Sequence, residues 1–113
     1  MGHLSPLFVY GPTGTGKTHL LEGITQAARQ TRGVKRAVLM SSEQFTSYFL
    51  EALRGSGLPS FRRKYREVDL LLIDDLQFFS GKRATIVELK HTVDTLLRER
   101  RQLVLAADRP LAE

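Results

Sequence analysis

A three-layer α/β fold around a parallel sheet is what this sequence of 113 residues predicts. Two observations carry the prediction. Short apolar runs alternate with segments of helical periodicity along almost the whole chain, the pattern of strand–helix–strand units. The apolar run from Val68 to Ile73 is also nearly continuous, as expected of a central parallel strand covered on both faces.

Each element follows in turn. Leu7 to Tyr10 reads as the first strand, and a helix is expected from His19 to Gln30, with Leu20, Leu21, Ile24, Ala27 and Ala28 as its apolar stripe. Gly33 ends that segment, and Ala37 to Met40 reads as a second strand. Ser41 with Gln44 three residues on is a capping-box start, and Phe45, Tyr48, Phe49 and Ala52 are expected on the buried face of the helix it opens. The Gly55–Pro59 segment breaks the pattern before a short basic helix, Phe61 to Arg66. After the Val68–Ile73 strand, Ile86, Leu89, Val93 and Leu96 mark a long helix, and Leu103 to Ala106 a fourth strand. Residues 1–5 read as a vector remnant or linker, leaving 6–113 as part of one domain.

Composition narrows the functional classes. With 42% hydrophobic residues the chain can bury a core. It carries no apolar run near the roughly 20 residues of a membrane span and no secretory pattern, so the expectation is a cytoplasmic protein. Cysteine is absent, which excludes disulfides and thiolate metal sites. The formal charge of +5 points to an anionic partner, with nucleic acid the first candidate.

The most specific chemistry lies between the first strand and first helix. Gly11-Pro12-Thr13-Gly14-Thr15-Gly16-Lys17-Thr18 fits G-x-x-x-x-G-K-[ST] without a mismatch, in the strand–loop–helix setting the motif requires. Glycines let successive backbone N–H groups converge on phosphate oxygens, and the following helix adds the positive end of its dipole. Lys17 is expected on the β- and γ-phosphates and the Thr18 hydroxyl on Mg²⁺.

Two acidic strand ends complete the expected site. Leu70-Leu71-Leu72-Ile73 runs into Asp74, read as the Mg²⁺ carboxylate, and Asp75, read as the group that polarises attacking water. Asp108, just past the fourth strand, sits where a γ-phosphate sensor would, although a turn cap before Pro110 explains it too. Two basic clusters, Arg62 to Arg66 and Lys82-Arg83, could contact nucleic acid or simply be solvated faces. Leu50 falls roughly 130° from the stripe of its helix, so that helix does not bury it. It either packs on the Leu58–Arg66 segment or faces a bound strand.

At this point the residues become family-specific. The loop with its His19-Leu20-Leu21 continuation, Ser42-Glu43-Gln44-Phe45, Ile73-Asp74-Asp75-Leu76-Gln77-Phe78-Phe79, His91-Thr92 and Asp108-Arg109-Pro110 resemble the bacterial chromosomal replication initiator DnaA family. The resemblance runs from Pro6 to Arg109 and is to the first half of an AAA+ P-loop NTPase domain. It implies ATP and ADP as nucleotides, with Gly11, Thr13, Gly14, Thr15, Gly16, Lys17, Thr18 and His19 around them and Asp108 as first sensor. It further implies ATP-driven assembly into a filament on origin DNA, with the replicative helicase as a further partner. The helices between Ser42 and Arg66 become an insertion that contacts single-stranded DNA, which brings Leu50, Lys82 and Arg83 forward as DNA contacts.

Two departures qualify the transfer. The family pattern after the acidic strand is Lys-Glu-Arg, whereas here it is Lys82-Arg83-Ala84, so only Arg83 could substitute, from one position earlier. The chain also ends at Glu113, ahead of the family's arginine finger, second sensor, helical lid, duplex-DNA-binding domain and fifth strand. A fifth strand would flank the first, so an open sheet edge beside the phosphate loop is expected, and hydrolysis by this chain alone should be weak. Helicase loaders and transposition helper ATPases are the nearest rival reading, but they typically place glycine and tyrosine where Gln77-Phe78-Phe79 stands here. An ATP-binding regulator of the initiator is another, and a small-molecule kinase would need an acceptor lid that nothing here supplies.

Overall fold

The structure is a computed structural model, and it describes residues 7–11, 16–55 and 57–108. Four strands, β1 (Leu7–Tyr10), β2 (Ala37–Ser41), β3 (Leu70–Asp74) and β4 (Gln102–Ala107), form one parallel sheet in the order β1-β4-β3-β2. Helices α1 (Lys17–Arg29), α2 (Ser42–Arg54), α3 (Leu58–Arg66) and α4 (Arg83–Arg98) connect them, with a 3-10 turn at Leu76–Phe79.

Strand alternation divides the interior into two cores. Leu70, Leu72, Val104 and Ala106 point to one face and pack with Leu21 of α1. Leu71, Ile73, Leu103, Leu105 and Ala107 point to the other, against Phe45, Phe49, Phe61, Tyr65 and Leu96 of α2, α3 and α4. With α1 on one face and the other helices on the opposite one, the carboxyl ends of the strands are where a parallel sheet of this kind places its ligand.

β1 is a sheet edge. Leu7, Phe8 and Tyr10 are 45–49% exposed, and the Phe8 and Tyr10 rings stack at 6.5 Å. Among the described residues no strand covers β1, in line with the open edge expected beside the phosphate loop. At the other edge, Arg29 donates to the Ala37 carbonyl at 2.9 Å and the Gln44 side chain accepts from Ser41 N–H at 2.9 Å, so β2 is partly sealed against another strand.

Helix boundaries follow local signals. Ser41 caps α2 in a capping box with Gln44, as its spacing predicts. Pro59 lies in the first turn of α3, where its missing N–H costs nothing, so that helix starts at Leu58, ahead of the basic stretch. Three expected faces need correction. In α1, Leu20 and Ala27 are exposed while Thr25 is buried, its hydroxyl donating to the Leu21 carbonyl at 2.8 Å. In α2, Tyr48 is exposed and carries the Lys64 ammonium 5.6 Å from its ring centroid. In α4, the innermost positions are Thr85, Glu88, Thr92 and Leu96, leaving Ile86, Leu89 and Val93 partly buried.

Glu88 explains the last shift. Only 3% exposed, it accepts two bonds from Arg62 of α3, at 3.0 and 2.8 Å. A charge at such a position needs a fixed partner, and the planar guanidinium supplies both donors at once. That hydrogen bond with Glu88 raises the Arg62 pKa. Arg62 is therefore a tie between α3 and α4, and it leaves the candidate nucleic-acid cluster.

At the amino ends of the strands, Asp69 joins three elements. Its carboxylate accepts from the backbone N–H groups of Lys35 and Arg36 at 2.7 and 3.1 Å and from Arg101 at 2.6 Å. Those backbone bonds, reinforced by Arg101, hold its pKa below the ordinary 3.8. Its stabilising contribution is thus complete above the unfolded-state pKa and lost as pH falls through the lower folded value. Asp69→Ala is expected to reduce stability by about 1–3 kcal/mol at neutral pH, measured by urea unfolding. The deficit should shrink on acidification below about pH 4. Among the described residues no helix is long and apolar enough to cross a membrane.

Candidate nucleotide site

The strand ends gather the acidic and loop residues on one edge. Ser41 is in register with Asp74 across β2 and β3, and Tyr10 with Ala107 across β1 and β4. Gly11 N–H then donates to the Ala107 carbonyl at 3.2 Å, which carries the pairing one residue beyond β1 and starts the glycine loop beside the end of β4.

α1 begins at this edge. Gly16 stands at its N-cap with φ 93°, a left-handed conformation that a side chain would strain. The first helical bond runs from Leu20 N–H to the Gly16 carbonyl at 2.9 Å. The N–H groups of Lys17, Thr18 and His19 therefore precede the intrahelical ladder and point out of the helix start. Donors in that arrangement, with the helix dipole behind them, suit an anion.

Lys17 is the centre of the arrangement. Although charged, it is buried, and its ammonium lies 2.8 Å from Asp74 Oδ1 and 3.4 Å from Asp75 Oδ1. Burial pulls its pKa down, but the hydrogen bond and charge of Asp74, with Asp75 adding to both, leave it above the ordinary 10.5. Asp74 is buried as well, and its Oδ1 also accepts from Asp75 N–H at 2.7 Å. Asp75 is half-buried and adopts φ 61°, ψ 45°, a left-handed conformation that aspartate tolerates better than most residues. That turn stops β3 and swings the chain into the 3-10 turn.

Lys17, Asp74, Asp75 and the start of α1 at Gly16 are thus brought together, with Gly11 and Asp108 on the same sheet edge. Thr18 and His19 are exposed on the first turn of α1. Thr13, Gly14 and Thr15 lie outside the described residues, as do Arg109 and Pro110. Among the described residues no group of three carboxylate or imidazole ligands forms a metal cage. A magnesium ion fits that donor set, since it favours one or two protein ligands completed by phosphate oxygens and water.

The three expected nucleic-acid residues are placed elsewhere. Leu50 is 41% exposed on α2, so neither its own helix nor α3 fully covers it. Lys82 and Arg83 are exposed at the turn into α4, where the Lys82 ammonium donates to the Phe78 carbonyl at 2.9 Å. In the other basic cluster Arg63, Lys64 and Arg66 remain exposed, whereas Tyr65 is buried in the core.

Gln77 was not singled out by its chemistry in the sequence, only as part of a string. Its Nε2 donates to Asp75 Oδ1 at 3.3 Å, and its Oε1 accepts from Asp108 N–H at 3.1 Å. No sequence signal places residue 77 beside residue 108, because the contact arises from strand order.

A family model described as the bacterial DnaA ATPase domain matches residues 1–113. Among solved structures, AMPPCP-bound DnaA from Aquifex aeolicus is 43% identical, with a TM-score of 0.87, over 96% of this chain and 34% of that one. Domain III of the Thermotoga maritima replication initiation protein DnaA is 40% identical, with a TM-score of 0.89, over 96% of this chain and 45% of that one. A replication initiator DnaA bound to AMPPCP and single-stranded DNA is 43% identical, with a TM-score of 0.84, over 91% of this chain and 32% of that one. The DnaC helicase loader, at 15% identity and a TM-score of 0.72 over 95% of this chain and 60% of that one, shares the fold alone. The chain therefore spans between about a third and under a half of the length of the initiators it matches. Phosphate loop, acidic strand end, strand order and family match agree, and the chain belongs to the bacterial DnaA ATPase domain family.

Proposed function

We propose that this chain is the nucleotide-binding part of a replication initiator's AAA+ ATPase domain, which binds ATP or ADP with Mg²⁺ and engages single-stranded origin DNA when ATP is bound. The observation that carries the reading is the buried Lys17 ammonium, held by two strand-end carboxylates beside the open start of α1. Few structural roles require a buried cation at that point, whereas a triphosphate requires one.

The residues divide the work. Gly11, Thr13, Gly14, Thr15 and Gly16, with the amides of Lys17, Thr18 and His19, cradle the phosphates, and Lys17 turns from its carboxylates to the β- and γ-phosphates. Thr18 and Asp74 hold Mg²⁺, which neutralises charge on the phosphate oxygens. Asp75 orients the attacking water, and Asp108 senses the γ-phosphate from the end of β4. A neighbouring subunit completes the catalytic set with an arginine, so hydrolysis is slow and regulatory, and self-association into a filament accompanies ATP binding.

Leu50 on α2, with Lys82 and Arg83 at the start of α4, forms the DNA face. The relative held with single-stranded DNA supports a DNA-binding role, and the exposure of all three side chains leaves them accessible to such a strand. Family membership favours an initiator over a helicase loader, transposition helper or initiator regulator. A cytoplasmic protein that works with the replicative helicase fits the same reading.

Fluorescence anisotropy of a labelled single strand tests the DNA part. In the full-length protein, binding should be tighter with Mg-ATP than with Mg-ADP, and Leu50→Asp should weaken it by on the order of tenfold. Salt-sensitive binding that ignores both the nucleotide and Leu50→Asp would reduce the face to a generic basic surface.

A further inference from the structure

We propose that Gln77 is the positioning residue that couples the hydrolytic carboxylate to the γ-phosphate sensor. The inference rests on the roles given above to Asp75 and Asp108. Its own ground is a side chain that bridges them, with Nε2 donating to Asp75 Oδ1 at 3.3 Å and Oε1 accepting from Asp108 N–H at 3.1 Å.

The bridge is chemically directional. One partner is an ionised acceptor and the other a backbone donor, so the side chain between them must donate at one end and accept at the other. A primary amide does both, a carboxylate only accepts, and an alkyl group does neither. The reversed amide would set its carbonyl against the Asp75 carboxylate and its NH₂ against the Asp108 N–H, so the partners fix its orientation.

The backbone delivers Gln77 to this place. The left-handed turn at Asp75 ends β3, and Phe78 N–H closes on the Asp75 carbonyl at 3.0 Å. This folds residue 77 back towards the side chain of residue 75. From there its amide spans to β4, which lies next to β3 in the sheet.

Asp75 Oδ1 is shared, since Lys17 approaches the same oxygen at 3.4 Å. When the Lys17 ammonium turns to phosphate, Gln77 is the donor that keeps the Asp75 carboxylate aimed. Movement at Asp108 on sensing the γ-phosphate then passes through one amide to the group that orients water. The residue thereby sets both the rate of hydrolysis and how far the site distinguishes ATP from ADP.

The test compares full-length wild type, Gln77→Leu and Gln77→Glu for ATP and ADP affinity, for kcat and KM of ATP hydrolysis, and for thermal melting. Gln77→Leu, which removes both bonds, should lower kcat by on the order of tenfold while ATP affinity stays within about threefold. It should also narrow the ratio of ATP to ADP affinity. Gln77→Glu keeps an acceptor for Asp108 N–H, but replaces the donor to Asp75 with a carboxylate oxygen and so sets a like charge against it. It should lower kcat at least as far as Gln77→Leu does, yet retain more of the ATP to ADP ratio than Gln77→Leu. A kcat unchanged in both variants would overturn the proposal. So would kcat, affinity and melting temperature falling together in both, since that pattern marks a purely structural residue. Wild type that neither binds nor hydrolyses ATP would instead overturn the parent reading.

Discussion

Lys17→Ala is expected to weaken Mg-ATP binding by on the order of 10²–10³-fold, the largest effect of any single change in the domain. The ammonium is the one buried cation among the described residues at the strand ends, and its Asp74 and Asp75 partners keep it fully charged. Triphosphate oxygens placed there without it would face those same carboxylates. The change has a second consequence, because Asp74 is buried and would lose its partner at 2.8 Å. A stability loss of about 1–3 kcal/mol should accompany the loss of affinity. Titration calorimetry read beside thermal melting separates the two effects. A variant that melts lower but binds ATP with wild-type affinity would mean that Lys17 serves only the fold.

Asp75→Asn should do the reverse, with nucleotide affinity within a few-fold of wild type and hydrolysis slowed by on the order of 10²–10⁴-fold. Asparagine tolerates the left-handed backbone at φ 61°, so the turn out of β3 survives. What disappears is the negative charge that orients water. Asp75→Ala is the informative contrast, since alanine adds backbone strain of roughly 1–2 kcal/mol at this position. It should therefore lower the melting temperature where Asp75→Asn does not. Single-turnover hydrolysis in the full-length protein reads the first effect. Equal rates in Asp75→Asn and wild type would remove Asp75 from the mechanism.

How far the sequence could be read depended on the range of the interactions. The strands were legible because all four are short apolar runs; β3 and β4 are buried on both faces, and parallel pairing leaves no alternating polar positions to confuse them. The phosphate loop and the two aspartates were legible because consecutive residues specify them. Ser41 and Gln44 cap α2 as their spacing implies, for the same reason. What escaped was held by distant partners. Glu88 lies inside because Arg62, 26 residues earlier, reaches it, and no periodicity of α4 announces that. The same pair withdrew Arg62 from a cluster that charge alone made look like a nucleic-acid face. Tyr48 sits at the border of its helix stripe, where Lys64 of the next helix gives its ring a reason to stay outside. Gln77 meets Asp108 across 31 residues, through the placement of β4 beside β3.

The central claim is that the site at the strand ends binds the phosphates of a nucleotide, and calorimetric titration of the 113-residue chain with ATP, ADP and AMP, with Mg²⁺ and with EDTA, tests it most directly. The account predicts one site for ATP and ADP, strengthened by Mg²⁺ for ATP, and AMP weaker by on the order of a hundredfold or more because it lacks the phosphates that Lys17 and the start of α1 would hold. A folded sample that binds all three nucleotides equally, or none, would contradict it.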